Sequence, residues 1–242
     1  MKQRKITSYI CGGLLGICLA VMPFVGVQAA STKHADKTAP VSAASAAHSK
    51  ELRPYDAATD GSPSEGLPIT ETHFTFSEPL LVRPATNAIV IHHVGVPDGD
   101  TSAAAIHKAH LANGWAGIGY HYVIRKNGTI ERGRPLLTVG AHAQGHNYDT
   151  IGINVTGNFD KERPTKEQIA SLERLIAALC SIYHIDPSVT TIEGHRDVNA
   201  TDCPGNHLYD LLPQIRQDVK VQLAEQKLDD EDIWDLLKAD SL

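Results

Sequence analysis

Residues able to bind a metal or attack a carbonyl stand at three separated places in the chain. His92 and His93 close an apolar run, IVIHH; His195 follows VTTIEG; Cys203 lies in the polar loop TDCPG. A free cysteine is usually buried as a small hydrophobe. One in a polar loop is better read as half of a disulfide, a nucleophile or a metal ligand. Two imidazoles and a thiolate make the three-ligand set of a catalytic zinc, whose fourth position stays open. A Cys203 nucleophile activated by His195 is the rival chemistry. There is no CxxC pair to favour a closed structural site, and with 13 histidines in the chain no single one is diagnostic. Adjacent strand residues point to opposite faces, so His92 and His93 cannot both look at one centre.

Such residues need elements that carry them to a common edge. NAIVIHHV (87–94) is a short, β-branched apolar run and reads as a buried strand. Ser102 can cap a helix running to about Asn113. HYVIRKNGTIERG places Asn127-Gly128 between two alternating runs, a hairpin signal. TIGINVTGNF (150–159) reads as another strand. Thr165 with Gln168 forms a capping-box pattern. Behind it, Ile169, Leu172, Leu175, Ile176, Leu179 and Tyr183 follow helical spacing over 166–183. Cys180 falls on or beside that stripe as a packed thiol. VTTIEG (189–194) is a last strand that delivers His195 to its end. Strands mixed with helices, one pair joined by a hairpin, predict an α/β fold with a mixed sheet.

The flanks differ in character. Lys2, Arg4 and Lys5 precede an apolar run from Ile6 to Val27, and Val27-Gln28-Ala29-Ala30 offers small residues for cleavage. Residues 1–30 therefore read as a secretory signal peptide, with an uncleaved anchor as the alternative. Residues 31–68, rich in Ala, Ser, Thr, Pro and Gly, read as a disordered linker. The folded domain is expected over 69–219. The tail 220–242 is acidic and helical in pattern, with Ile233, Trp234 and Leu237 on one face. It reads as a helix docked on its own domain, a frayed end, or a docking segment for a partner or a second copy. The formal net charge of −6 argues against nucleic acid, which is held mainly by clustered Lys and Arg. Removal of residues 1–30 takes away three of the 22 basic residues and none of the 28 acidic ones, giving −9. It leaves Cys180 and Cys203, too few for a disulfide framework.

Four blocks stand in order: IVIHHVGVPDG, GIGYHYVIRKNGTIERGR, VGAHAQGHNYDTIGINVTGNF and EGHRDVNATDCPG. Together, across residues 80–215, they resemble the zinc-dependent N-acetylmuramoyl-L-alanine amidase family, which includes T7-type phage lysozymes and peptidoglycan recognition proteins. The resemblance implies a single catalytic domain, a mixed central sheet flanked by helices, with one Zn2+ at the floor of a surface groove. It implies His92, His195 and Cys203 as ligands and Tyr120 and Thr201 as catalytic residues. His142, His93 and Asn154 are the implied substrate-binding positions, with His93 packing or orienting from the opposite strand face. Asn154 stands where some amidases carry a catalytic Glu. Pro135-Leu136 stands where recognition proteins often carry Gly-Trp, so preference between diaminopimelate and lysine stems stays open. For the general acid, His142 and the zinc-bound water are both candidates, and Glu193 or Asp197 for fixing an imidazole tautomer. The implied activity is hydrolysis of the amide joining N-acetylmuramic acid to L-alanine, in the extracytoplasmic cell envelope. The alternative is a non-catalytic peptidoglycan-binding module. The expected partners are peptidoglycan or muropeptides, with no nucleic acid and no stable membrane insertion after cleavage.

Overall fold

The computed structural model describes residues 52–59, 65–96 and 99–239; the expected signal peptide and most of the expected linker lie outside them. Six strands form one mixed sheet: β1 (Ile69–Thr70), β2 (Ala88–His93), β3 (Tyr122–Ile124), β4 (Ile130–Arg132), β5 (Thr150–Val155) and β6 (Ile192–Gly194). Their order is β1-β4-β3-β5-β2-β6. Only the β3–β4 hairpin is antiparallel; the other neighbours run parallel. The helices are α1 (Ala103–Ala112), α2 (Lys166–Tyr183), α3 (His195–Val198), α4 (Asn206–Tyr209) and α5 (Leu212–Ala239).

The central strands are buried on both faces, as their near-continuous apolar runs require. On one face Ile89, Ile91, Ile151, Ile153, Tyr122 and Ile124 meet Leu172, Leu175, Ile176 and Leu179 of α2 and Leu212, Ile215 and Val219 of α5. Cys180 is buried in this same core. The other face has only a small apolar cluster, where Ala103 and Ile106 of α1 pack with Ile118, Val123, Phe74 and Phe76. The rest of that face belongs to polar side chains.

Local chemistry sets the element ends. Ser102 accepts from the N–H of Ala105, and Glu131 of β4 accepts from Ala103 at 2.6 Å, so α1 starts against the sheet. α2 opens on the reciprocal Thr165–Gln168 pair, each bond 3.0 Å. It ends at His184, whose left-handed backbone (φ 54) stops the helix. Gly128, at φ 84, makes the hairpin turn. Two strands are shorter than expected. β5 stops at Val155, with Gly157 at φ 138 just beyond it. β6 starts only at Ile192: the Ser188 and Thr191 hydroxyls bond locally and hold residues 188–191 in a turn, and only the Thr191 carbonyl reaches the ladder, accepting from the Ile89 N–H at 2.8 Å.

The packed chain extends upstream of Ile69. Val82 donates to the Arg53 carbonyl and Tyr55 to that of Leu80, while Glu65 meets Arg132 at 2.8 Å and accepts from the Tyr122 hydroxyl. Nor does the backbone break near 219: α5 runs on to Ala239, held to β6 by two Arg216 bonds to the Ile192 carbonyl. Ile233, Trp234 and Leu237 lie outside the residues whose side chains are described. Among the described residues no helix is long and apolar enough to cross a membrane.

The Thr165 hydroxyl both caps α2 and donates to the Lys126 carbonyl of the hairpin at 2.7 Å. Thr165→Ala is expected to cost about 1–2 kcal/mol, read as a lower urea midpoint at unchanged slope; an unmoved midpoint would contradict this joint role.

Candidate metal centre

Strand register builds the centre. In the parallel β2–β6 pair Ile91 lies opposite Gly194, so the next residues, His92 and His195, emerge side by side where both strands end. Their ring centroids are 4.4 Å apart. Ends of parallel strands are where α/β sheets commonly place ligands. The chain turns through α3 and returns at Cys203, tied by the Arg196 N–H to the Cys203 carbonyl at 2.9 Å. Arg196 also bonds the Asp202 carbonyl and Asn206. Cys203 Sγ accepts from the His93 N–H at 3.3 Å and lies 3.8 Å from His92 Nδ1. Among the described residues, the potential ligand atoms of His92, His195 and Cys203 all lie within 4.8 Å of one another. Two borderline nitrogens and one sulfur, gathered at the edge of a groove, are a donor set that suits zinc.

The remaining candidates divide between the centre and its supports. Tyr120, half-buried, puts its ring 5.1 Å from that of His92, and its hydroxyl interacts with Asn154. Asn154, opposite His92 in the β2–β5 register, is fully buried behind Tyr120 and does not line the groove. Thr201 lines the groove while its hydroxyl accepts from the Cys203 N–H at 3.2 Å. His142 also lines the groove, but its Nδ1 is 3.0 Å from His92 Nε2. His93 is turned away by strand alternation; its Nδ1 accepts from the Phe159 N–H, and the structure does not bring it to the groove. The groove has a volume of about 710 Å³ and includes Trp115, Gln144, Asn147 and Asn199 in its wall.

Electrostatics separates the roles further. Burial pulls His92 and His121 well below the usual histidine range, and His142 down to about 3. His142 is therefore neutral at neutral pH in the metal-free site, with its Nδ1 engaged by His92. Burial pushes the bare Cys203 thiol up to about 12, against the His93 N–H and Arg196. A nucleophilic cysteine needs the opposite shift, from a neighbouring cation, which disfavours the cysteine-hydrolase reading. Asp197 accepts from the Gly194 N–H through one carboxylate oxygen and from the Tyr209 hydroxyl through the other. The partner of His195 is Asn199, 3.0 Å from Nε2. Asn199 escaped the sequence reading, although its place four residues after His195 on a helical turn was the available signal.

The chain matches the profile of the N-acetylmuramoyl-L-alanine amidase family over residues 82–206. The endolysin of Enterobacteria phage T3 is 33% identical over 128 residues, which are 50% of this chain and 82% of that protein. The endolysin amidase LysCS of Clostridium intestinale aligns with a TM-score of 0.55 at 41% identity, covering 60% of this chain and 91% of its own. A peptidoglycan recognition protein, LE, solved in complex with tracheal cytotoxin (monomeric diaminopimelic acid-type peptidoglycan), aligns at 0.54 and 26% identity, covering 60% and 92%. The chain belongs to the N-acetylmuramoyl-L-alanine amidase family.

The buried, neutral histidines make stability depend on pH. In the unfolded chain they titrate near 6.5 and take up protons that the folded state refuses. Their contribution is thus full above about pH 6.5 and is lost as pH falls, down to about 3 for His142. Metal-free protein should lose at least about 1.4 kcal/mol per pH unit between about pH 6 and pH 5 in denaturant titrations. A flat profile would mean these rings are not buried neutral.

Proposed function

We propose that this chain is an extracytoplasmic zinc amidase that hydrolyses the bond between N-acetylmuramic acid and L-alanine in peptidoglycan. The observation that carries the reading is the approach of His92, His195 and Cys203 to within 4.8 Å beside a groove. Bound there, zinc would polarise an amide carbonyl and acidify a water molecule. Its charge would also favour the thiolate form of Cys203.

The chain's own residues do the rest. Tyr120 carries a hydroxyl whose ionisation is pushed up by burial and by the Cys203 sulfur, so it remains a proton donor at neutral pH. It donates to the oxygen on which charge develops as the carbonyl is attacked. The Asn154 amide is buried against that hydroxyl and orients it. Thr201 keeps the Cys203 loop in shape at the groove wall. The exposed Trp115 and the polar groups of Gln144 and Asn147 offer an apolar plate and hydrogen bonds to a glycopeptide. Peptidoglycan lies outside the cytoplasmic membrane, which agrees with the basic and apolar pattern of residues 2–27.

The second reading, a recognition module that binds without cutting, draws on the likeness to the LE protein. Retention of the cysteine donor and Tyr120 beside two imidazoles favours the enzyme. Purified sacculi incubated with the protein should release free stem peptides. A chelator or Cys203→Ala should abolish release, and Tyr120→Phe should slow it about 10²–10³-fold. Release that survives chelation would remove the zinc mechanism, and binding without release at any metal concentration would establish the recognition module.

A further inference from the structure

Each imidazole of the centre commits one nitrogen to a hydrogen-bond chain, and both chains end on backbone carbonyls of the same loop, residues 140–147. The shorter chain starts at His195, whose Nε2 lies 3.0 Å from Asn199 Oδ1. Asn199 Nδ2 donates to the Gln144 carbonyl at 3.1 Å. A carbonyl only accepts, so the NH2 group must face it and the amide oxygen must face His195. His195 therefore carries its proton on Nε2.

The longer chain starts at His92, whose Nε2 lies 3.0 Å from His142 Nδ1. His142 Nε2 lies 3.5 Å from the Thr150 hydroxyl oxygen, and the Thr150 hydroxyl donates to the His146 carbonyl at 2.5 Å. With its hydrogen committed, that oxygen offers His142 only lone pairs. His142 is thus protonated on Nε2 and accepts through Nδ1, so His92 also carries its proton on Nε2. Both rings are left with a bare Nδ1, and in His92 this is the nitrogen that faces Cys203.

The loop is itself fixed. Asn147 Oδ1 accepts from the N–H groups of His142 and Ala143 at 2.8 and 3.0 Å. The His142 ring is clasped between Gly140 and Gly152, at each of which a Cβ would stand 2.4 Å from it.

We infer that loop 140–147 is a template that sets the tautomer of both imidazoles before any metal arrives, with His142 and Asn199 as the positioning residues. This rests on the metal reading of the site, since an imidazole protonated on Nδ1 cannot offer that nitrogen to an ion. Removing such outer partners typically costs 10–100-fold in metal affinity.

The test uses the 15N-labelled full chain without metal at about pH 7.5. Long-range 1H–15N spectra should show both His92 and His195 protonated on Nε2. Asn199→Leu should shift His195 towards the other tautomer and leave His92 alone; His142→Phe should do the reverse. Each variant should lose about 10–100-fold in Zn2+ affinity by chelator competition. Protonation on Nδ1 at either ring of the unaltered chain overturns the inference without recourse to a variant, as do tautomers that neither substitution moves. An unaltered chain with both rings as expected that takes up no Zn2+ would instead overturn the metal reading.

Discussion

The pairing of Ile91 with Gly194 is the constraint on which the centre depends. Parallel neighbours emit side chains in step, so this one register places the two imidazoles next to each other. A slip by one residue would send one of them through the sheet to the apolar face. The register is enforced from several sides. Ile89 and Ile192 are paired and fully buried, and Arg216 holds the Ile192 carbonyl from α5. Gly194 leaves room for Tyr209 and Pro204, which a Cβ would meet at 2.8 and 3.0 Å. The residues that hold β6 in step thus also seat the loop that brings Cys203 back.

The two faces of the sheet divide the work. The face under α2 and α5 is a continuous apolar core, which supplies most of the area removed from water. The opposite face keeps only a small apolar cluster beside α1 and gives the rest to polar groups. There His121 accepts from the Gly152 N–H and reaches the Thr138 carbonyl. Arg83, buried beside it, is satisfied by Thr86 and by the same carbonyl. Buried polar groups are tolerated when they are hydrogen-bonded. Asn154 meets the Tyr120 hydroxyl on this face, next to the metal-capable residues.

The parts legible in the sequence were those set by short-range chemistry. Alternation along IVIHH put His92 and His93 on opposite faces, as found. The Thr165–Gln168 pair marked the start of α2, and the apolar stripe behind it marked the buried face. Asn127-Gly128 marked the hairpin. The hydroxyl turn at 188–191 and the glycine-assisted end of β5 also have local causes, but β propensity outweighed them in the reading. The supports of the centre were beyond a linear reading. Asn199 meets a carbonyl 55 positions away, and His142 meets an imidazole 50 positions away; both contacts exist only once the strand order is known. His142 was recognised as part of the groove, but its bond to His92 depends on a loop path that no motif spacing encodes.

The glycines that clasp His142 carry a consequence for how this chain can vary. Positions 140 and 152 are not simply small: a side chain at either would meet the imidazole at position 142 at 2.4 Å and displace it. The three positions are therefore sterically coupled: a side chain entering at 140 or 152 would shift the ring that stands next to His92, so a change at these apparently inert positions reaches the chemistry next door.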